Sequence, residues 1–259
     1  MKRTFIKSIC LALFFYGFTL HATAQGIVVN KLDGTKVYFK ASEVVSVGVY
    51  GYGEGPDDAS DIHEYVDLGL PSGTLWATMN VGASKPEERG DYFAWGETKP
   101  KDVYTESNYK YYDMSFNTIT KYCTRSADGS IDNKTELEMS DDAATVNWGI
   151  NWETPSEEQF RELIRSGNTT ISWTKLNDVE GCLIVSNKNG NRIFLPGTGY
   201  YKNGTIYPSY YGAYWANSLS IGSANIYARD FYFYIKNDIN ISSEFRHNGL
   251  SVRPVRAQR

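Results

Sequence analysis

Residues that could carry covalent or acid–base chemistry are few and scattered along the chain. The 259 residues contain no Gly-x-Ser-x-Gly, His-Glu-x-x-His or P-loop motif. Glu97, Glu153 and Glu244 are possible glycosidase carboxylates, but such enzymes need two carboxyl groups about 5–10 Å apart, and no spacing in the sequence pairs them. His63 and His247 each lie in a polar stretch that is typical of a surface histidine. We therefore predict no catalytic residue and no enzymatic activity, with a secreted hydrolase as an alternative.

Acidic residues form two groups that could be considered for calcium. The first lies within residues 51–61, where glycine and acid are frequent but the EF-hand spacing is missing, so that a solvated linker explains it. In the second, Asp141 and Asp142 could bind calcium together with Glu138. Alternatively, the two aspartates could occupy the first turn of a short helix that Ser140 caps, where the helix dipole favours them. We favour the capped helix, and we predict no metal site and no cofactor.

Aromatic residues are the most distinctive chemical feature of the chain, which has 20 tyrosines. Exposed tyrosine rings offer stiff, flat contact surfaces for sugars or proteins, and the densest group lies within residues 200–215. Pro208 and Gly212 indicate a loop around two adjacent tyrosines. Large aromatic residues are usually buried, so about half of these rings should lie in the core, with Trp215 supporting the loop from below. The predicted ligand-binding residues are Tyr207, Tyr210, Tyr211 and Tyr214, with Tyr210 and Tyr211 the most exposed.

One amphipathic helix is predicted within residues 151–167, and it should position the rest of the domain. Thr154 is a good N-cap that forms a capping box with Glu157, and Pro155 suits the first helical position. An apolar face is predicted at Phe160, Leu163 and Ile164. Gly167 can adopt the left-handed conformation that ends a helix. Because the surrounding segments read as strands, sheets should pack on this face.

The N-terminal residues 1–24 are predicted to be a signal peptide. Lys2, Arg3 and Lys7 precede an apolar run that is too short to span a membrane, and residues 22–24 form a small-x-small cleavage site. Cleavage removes basic residues only, so the mature chain is more acidic than the full chain, whose net charge is −4. An acidic chain repels phosphate backbones. We therefore predict an exported protein, extracellular or on the outer cell surface, with the periplasm as an alternative, without a membrane span and without a nucleic-acid partner.

Three segments follow the signal peptide. Residues 25–50 alternate like a β-hairpin around Asp33-Gly34, with a further strand within residues 44–49. Residues 51–62 form an acidic, glycine-rich linker, and residues 63–259 form the main domain. Residues 104–122 are rich in tyrosine and asparagine without a helical period, which predicts a long surface insertion. Short strands dominate the rest, including a hairpin with Gly190 at its tip, so we predict an α+β fold that is mostly antiparallel β with one firm helix.

Two cysteines remain after cleavage, Cys123 and Cys182. Export makes a disulfide between them possible. Cys182 begins a strand-like apolar run, which favours a small buried hydrophobic residue. Neither belongs to a metal-ligand pattern.

Several segments together resemble the Fibrobacter succinogenes major paralogous domain family of secreted bacterial proteins. They are residues 65–77, 90–97, 152–160, 194–196, 212–215 and 251–255. The resemblance covers most of residues 64–256 and implies the C-type-lectin-like fold that is shared with formylglycine-generating enzymes. In that fold a helix precedes a long irregular β region, which here ends at residues 249–253. The preceding hairpin resembles short modules that follow signal peptides in Bacteroidetes surface proteins.

The resemblance implies a fold more than a reaction. Formylglycine-generating enzymes use a late pair of reactive cysteines, and this chain has no cysteine after Cys182. Calcium-dependent lectins carry an acidic residue where this chain reads Trp-Ala-Asn-Ser at residues 215–218, so calcium-bridged sugar binding is not implied. The function expected is a secreted recognition or adhesion module that binds a glycan or a surface protein. A structural component of a surface assembly, using the N-terminal hairpin as its contact surface, remains the alternative.

Overall fold

A computed structural model describes residues 63–207, 210–234 and 238–257, together with the backbone of residues 18–23, 26–31 and 36–40. The chain divides into two compact units, Met1–Asp57 and Asp58–Arg259. The boundary falls within the predicted linker, residues 51–62, whose own structure lies outside the described residues, as does the further strand predicted within residues 44–49.

The N-terminal unit contains one three-stranded antiparallel sheet. Its strands are β1 (Phe18–Thr23), β2 (Gly26–Lys31) and β3 (Lys36–Lys40). β2 and β3 pair with Ile27 opposite Phe39, as the hairpin prediction requires. β1 lies inside the predicted signal peptide and pairs with β2. Cleavage after Ala24, which stays a prediction, would remove β1 and leave the β2–β3 hairpin.

The second unit is built mainly of short antiparallel strands. In chain order they are β4 (Tyr65–Asp67), β5 (Thr74–Ala77), β6 (Tyr112–Asp113), β7 (Thr118–Ile119), β8 (Thr169–Leu176), β9 (Val179–Ser186), β10 (Arg192–Pro196), β11 (Tyr201–Lys202), β12 (Thr205–Ile206), β13 (Tyr211–Leu219), β14 (Tyr227–Tyr234), β15 (Asp238–Phe245) and β16 (Val255–Ala257). The three-stranded sheets have the orders β10-β9-β8, β13-β14-β15 and β16-β5-β4. The mostly antiparallel β architecture with few helices agrees with the predicted α+β class.

Two α-helices lie between these strands, α1 (Ala143–Trp148) and α2 (Glu157–Leu163), and both begin later than predicted. The N-cap of α2 is Ser156, which forms a capping box with Gln159. Thr154 is instead held by Asp142, which accepts bonds from its hydroxyl and its backbone N–H, each at 2.8 Å. Residue 167 is not in the left-handed region, because α2 has already ended at Leu163. The prediction of a helix from Pro155 to the Gly167 cap was therefore wrong in its ends.

The apolar face of α2 is where the sequence places it. Phe160 and Leu163 are fully buried, and Ile164 packs against the same cluster. The Phe160 ring lies 4.8 Å from the Phe231 ring of β14 and 5.3 Å from the Trp76 ring of β5. This helix therefore covers the inner face of the β13-β14-β15 sheet.

The helix α1 exists as the sequence predicts, but a different residue caps it. Asp142, not Ser140, accepts bonds from the backbone N–H groups of Ala144 and Thr145. A 3₁₀ helix over Met139–Asp141 precedes it, and a second 3₁₀ helix covers Glu106–Asn108. Asp141 is bound by Lys110 and Lys121 and by the Tyr122 hydroxyl. The acidic pair is thus used for capping and ion pairing.

The segment 104–122 is only partly a surface insertion as predicted: residues 106–108 and 114–117 are exposed, but several of its tyrosines lie in the core. Its tyrosines at positions 104, 109, 111 and 122 are all buried in a second cluster around Trp95 and Trp215. The hydroxyl groups of Tyr104, Tyr109 and Tyr122 make burial possible by bonding inside the domain, as when Tyr109 donates to the Trp95 carbonyl at 2.8 Å. Lack of a helical period correctly indicated that the segment holds no long helix, since it forms a short 3₁₀ helix and the strands β6 and β7. It gave no information on which of its residues are buried.

The last strand of the domain pairs with one of its first strands. β16 pairs with β5, placing Val255 opposite Trp76. Arg253, fully buried just before β16, donates to Asn80 Oδ1 at 2.7 Å and to the backbone carbonyls of Ala77, Thr78 and Phe194. These bonds fix the last segment against two earlier parts of the chain, residues 77–80 and Phe194.

Candidate functional site

The outer side of the β13-β14-β15 sheet carries a continuous group of partly exposed tyrosines. We call it the tyrosine face, and its members are Tyr200, Tyr207, Tyr210, Tyr211, Tyr232 and Tyr234. Tyr200 and Tyr207 stack with ring centroids 4.6 Å apart and planes 2° apart. Tyr200 meets Tyr211 edge-on at 6.1 Å, and Tyr211 stacks on Tyr232 at 5.7 Å. Tyr210 meets Tyr234 edge-on at 5.4 Å. This pair adjoins the other four rings because Tyr234 lies opposite Tyr211 in the β13–β14 pairing.

The backbone fixes the position of this surface. Tyr211 lies opposite Tyr234 at the start of the β13–β14 pairing. The Tyr211 carbonyl accepts a bond from the N–H of Gly199 at 2.6 Å, and Tyr201 exchanges two backbone bonds with Gly249. Gly212 allows the Phe233 ring to lie against the backbone, since a Cβ there would come within 2.1 Å of that ring. The loop that carries Tyr200 and the strand that carries Tyr211 are thereby held together.

The predicted binding residues have different positions in the structure. Tyr207 and Tyr210 are exposed by 41% and 39%. Tyr211 lies in β13 and is partly buried, so its prediction as one of the two most exposed rings, in a loop, was wrong. Tyr214 is fully buried, and its hydroxyl donates to the Pro196 carbonyl at 2.6 Å. Its prediction as a ligand-binding residue is corrected here, because its ring packs between Phe231 and Phe233 in the α2 cluster. Trp215 is buried below the face, as expected.

Sequence reasoning missed Tyr232 and Tyr234, which contribute two rings to the tyrosine face. The signal was present in β14, where Phe231 and Phe233 alternate with these tyrosines. In a strand with one covered face, alternation places the two sets on opposite sides. Phe231 and Phe233 are buried, whereas Tyr234 is exposed by 41%.

Two carboxylates lie on the same side of the sheet as the tyrosines. Asp230 is opposite Trp215 on β13 and Ser242 on β15, and Glu244 is two residues further along β15. Burial, together with the nearby Glu244 charge, raises the pKa of Asp230 to about 8. Burial and the charges of Asp230 and Glu244 also raise the pKa of the Tyr211 hydroxyl. Asp230 and Glu244 form what we call the base of the tyrosine face. This base is therefore acidic and poorly hydrated.

The three glutamates that were considered for catalysis have separate environments. Glu97 is buried and forms an ion pair with Lys101 at 2.9 Å. Glu153 lies before α2, and burial raises its pKa. Glu244 accepts bonds from the Phe245 N–H at 2.7 Å and from Asn248 Nδ2 at 2.9 Å. Within the described parts of the chain, no group of three or more His, Cys, Asp or Glu side chains is arranged to hold a metal ion.

The histidines and cysteines are engaged in packing. His63 stacks on Trp148 at 3.8 Å, and His247 stacks on Phe245 at 5.3 Å. Burial and the charges of Lys202 and Lys101 lower the pKa of His247 to about 4. Cys123 and Cys182 are both buried and both free, so the structure has no disulfide between them.

A second opening, a cleft of about 270 Å³, lies beside α1. Its lining residues are Met139, Thr145, Ile150, Asn151, Trp152, Glu153 and Arg256. The Arg256 guanidinium lies 5.5 Å from the Trp152 ring centroid. Asn151, Trp152 and Arg256 each have a further interaction partner. Three lining residues of this cleft therefore already have partners, whereas the tyrosine face presents several exposed rings, which makes the tyrosine face the better candidate site.

Comparisons with protein-family models, with curated proteins and with solved structures find no match to this chain. A search of the described residues for a helix of sufficient length and hydrophobicity to cross a membrane also finds none.

Proposed function

We propose that this chain is an exported recognition module that binds a glycan or a surface protein through the tyrosine face, without catalysing a reaction. The observation that carries the proposal is the connected set of rings from Tyr207 to Tyr232, with Tyr207, Tyr210 and Tyr234 each about two-fifths exposed. Stiff aromatic rings provide contact area at a low cost in conformational entropy. Flat ring faces also suit the apolar faces of sugars.

The support of the sheet favours binding by a preformed surface. α2 covers the inner side through Phe160, and the outer side carries the rings. Addition of a strand to β15, the edge strand of this sheet, is partly blocked. The side chains of Asn240 and Glu244 accept hydrogen bonds from the backbone N–H groups of Ile241 and Phe245, respectively. A partner that adds a strand would have to break these bonds. Side-chain contact with the tyrosine face is therefore the favoured mode.

We also propose that residues 64–256 belong to the family that their motifs resemble and have a C-type-lectin-like fold. Two features support this. The helix α2 precedes the long β region from β8 to β16, and Arg253 in the last segment is tied to the first strands of the domain. An experimental structure that superposes on C-type-lectin-like domains would test the proposal. A different strand connectivity would contradict it.

The functional test is a glycan array and a surface-protein pull-down with the full chain, in calcium and in chelator. A ligand that is captured by the parent chain and lost by Tyr207→Ala or Tyr210→Ala supports the proposal. Release of a cleaved product would favour the hydrolase alternative. Capture that persists in both variants but is lost when residues 25–50 are deleted would favour the assembly alternative, with the N-terminal hairpin as the contact surface.

A further inference from the structure

Asp230 has a buried oxygen atom that no described residue satisfies. The side chain is 2% exposed, and Oδ1 has no hydrogen-bond partner in the described part of the chain. Its neighbour Arg229 points to the other side of β14, where its Nε bonds Glu157 at 2.7 Å. The nearest cation on this strand is therefore already paired with another carboxylate. An unsatisfied buried acceptor typically costs about 1–3 kcal/mol, so the site favours an added donor.

A second unsatisfied oxygen belongs to Asn248, which is fully buried. Its Nδ2 donates to Glu244 Oε1 at 2.9 Å, and its Oδ1 has no partner among the described residues. The bond to Glu244 orients the amide with nitrogen toward the carboxylate. Asp230 and Glu244 lie on the same side of the sheet, because residues two apart in paired strands share a face. Carboxylate and carbonyl oxygens thus dominate the base of the tyrosine face.

Two rings of the tyrosine face, Tyr200 and Tyr211, lie near these carboxylates. The charges of Asp230 and Glu244 both contribute to the raised pKa of Tyr211, and the charge of Glu244 contributes to that of Tyr200, after burial in each case. Tyr211 and Glu244 are partly exposed, so the group of acceptors reaches the surface at these two side chains. Aromatic faces attract cations. A primary ammonium group carries three donors and no acceptor, which matches a site that offers mainly acceptors.

We propose that Asp230, Glu244 and Asn248 form a subsite for a primary ammonium group at the base of the tyrosine face. This inference rests on the proposed function, and it narrows the ligand to one that carries an amine. An amino sugar and a lysine side chain share that chemistry. The ammonium would donate to the two unsatisfied oxygens and to the Glu244 carboxylate while it lies against the rings of Tyr200 and Tyr211.

Binding of the cation should release a proton. The ligand-free Asp230 carboxyl holds its proton up to a pKa of about 8, and an adjacent ammonium stabilises the carboxylate. The carboxyl proton passes to the buffer, and the ammonium keeps its own protons. The affinity should therefore rise from pH 6 to pH 8. The titratable and charged groups around Asp230 are Glu244 on β15, Tyr211 on β13, Tyr232 and Arg229 on β14, and Tyr200 in the preceding loop.

The test is a calorimetric titration of the full chain with glucosamine, with lysine amide blocked at its α-amine, and with the neutral N-acetylglucosamine. Asp230→Asn should weaken both amines by roughly tenfold or more, because it removes the charge and an acceptor at one site. Asp178→Asn is the matched control, an exposed aspartate in the turn between β8 and β9 away from the tyrosine face, and it should leave both affinities unchanged. Thermal melts establish that both variants fold. The amine with the higher affinity shows whether the natural ligand is an amino sugar or a lysine side chain.

Other results would overturn the subsite. If the neutral sugar binds as tightly as glucosamine and Asp230→Asn binds all probes normally, the ammonium proposal fails. Loss of that neutral binding in Tyr207→Ala would still support the tyrosine face. Unchanged amine affinity in Asp230→Asn would likewise exclude Asp230 from the site, whichever amine binds.

Discussion

The ring of Phe160 stacks on the ring of Phe231, with centroids 4.8 Å apart and planes 13° apart. The next residue of β14, Tyr232, faces the other way and stacks on Tyr211. A single strand therefore connects the helix α2 to the tyrosine face. Packing on the inner side determines where the outer rings lie, which links the stability of the fold to the geometry of the site.

Replacing Phe160 by alanine should lower the free energy of unfolding by about 3–5 kcal/mol, since it removes a buried ring and leaves a cavity. Arg161→Ala is the matched control on the exposed side of the same helix. Its ion pair with Glu157 is partly exposed, so it should cost less than about 0.5–1 kcal/mol. Urea unfolding of both variants measures the difference. Equal losses would mean that the buried face of α2 is assigned incorrectly.

Arg246 should contribute strongly to stability although no carboxylate binds it among the described residues. Its guanidinium lies 4.9 Å from the Trp95 ring centroid and donates to the Tyr109 hydroxyl and to the carbonyls of Lys121, Tyr122 and Asn225. Arg246→Met leaves these buried acceptors unsatisfied and should destabilise the domain by about 3 kcal/mol or more. Arg192→Met, at an exposed position of β10, should have little effect. A comparable melting temperature for the two variants would refute this assignment.

Stability should depend on pH through Asp230. Burial and the Glu244 charge raise its pKa in the folded state to about 8 from an ordinary 3.8. The folded chain thus binds a proton that the unfolded chain has lost, so this contribution is complete below about pH 4 and is lost as the pH rises to about 8. Asp230→Asn removes the dependence. Between pH 5 and 8 the variant should gain stability relative to the parent by up to about 1.4 kcal/mol per pH unit.

Urea melts of the parent, Asp230→Asn and the control Asp178→Asn measure that effect. Bonds to Lys121 and the neighbouring tyrosines lower the pKa of Asp141 against the opposing effect of burial. The stabilising contribution of carboxylates such as this one is lost at acidic pH in all three proteins. The difference between parent and variant isolates Asp230. A difference that does not change with pH would mean that Asp230 is ionised throughout.

Tyr214 should act in folding and not in binding. Tyr214→Phe removes the hydroxyl that donates to the Pro196 carbonyl in a fully buried site. We expect a loss of about 0.5–1.5 kcal/mol in unfolding free energy with no change in ligand affinity. Thermal unfolding and a binding titration on the same sample test both parts. A weakened affinity in a stably folded variant would return Tyr214 to the binding site.

The sequence predicts those features that a single short pattern determines. The apolar spacing in α2 identifies Phe160 and Leu163 correctly, and Asn-Gly near position 190 identifies the β9–β10 hairpin. The exact start of α2 was not predictable. The Thr154 hydroxyl donates to Asp142, a partner outside the helix that no local capping pattern reveals. Tertiary hydrogen bonds of this kind override local capping preferences.

Burial of individual tyrosines was the hardest feature to predict. Both sides of β13 are covered, with Ala213 and Trp215 in one cluster and Tyr214 and Ala216 in the other. Alternation along that strand therefore carries no information about exposure. The unsatisfied oxygens of Asp230 and Asn248 were not predictable, because whether a buried oxygen finds a donor depends on side-chain packing and not on a local sequence pattern.

The central claim is that the exposed rings of the tyrosine face contact the ligand. The most direct measurement is the affinity of a captured glycan or protein for the parent chain, Tyr207→Ala, Tyr210→Ala and Phe116→Ala. Phe116 is the control, a ring that is 77% exposed outside this face. Loss of a contacting exposed ring should weaken binding by about 1–3 kcal/mol, whereas Phe116→Ala should bind normally, and all variants should melt like the parent. Unchanged affinity in both tyrosine variants with normal melting would contradict the account.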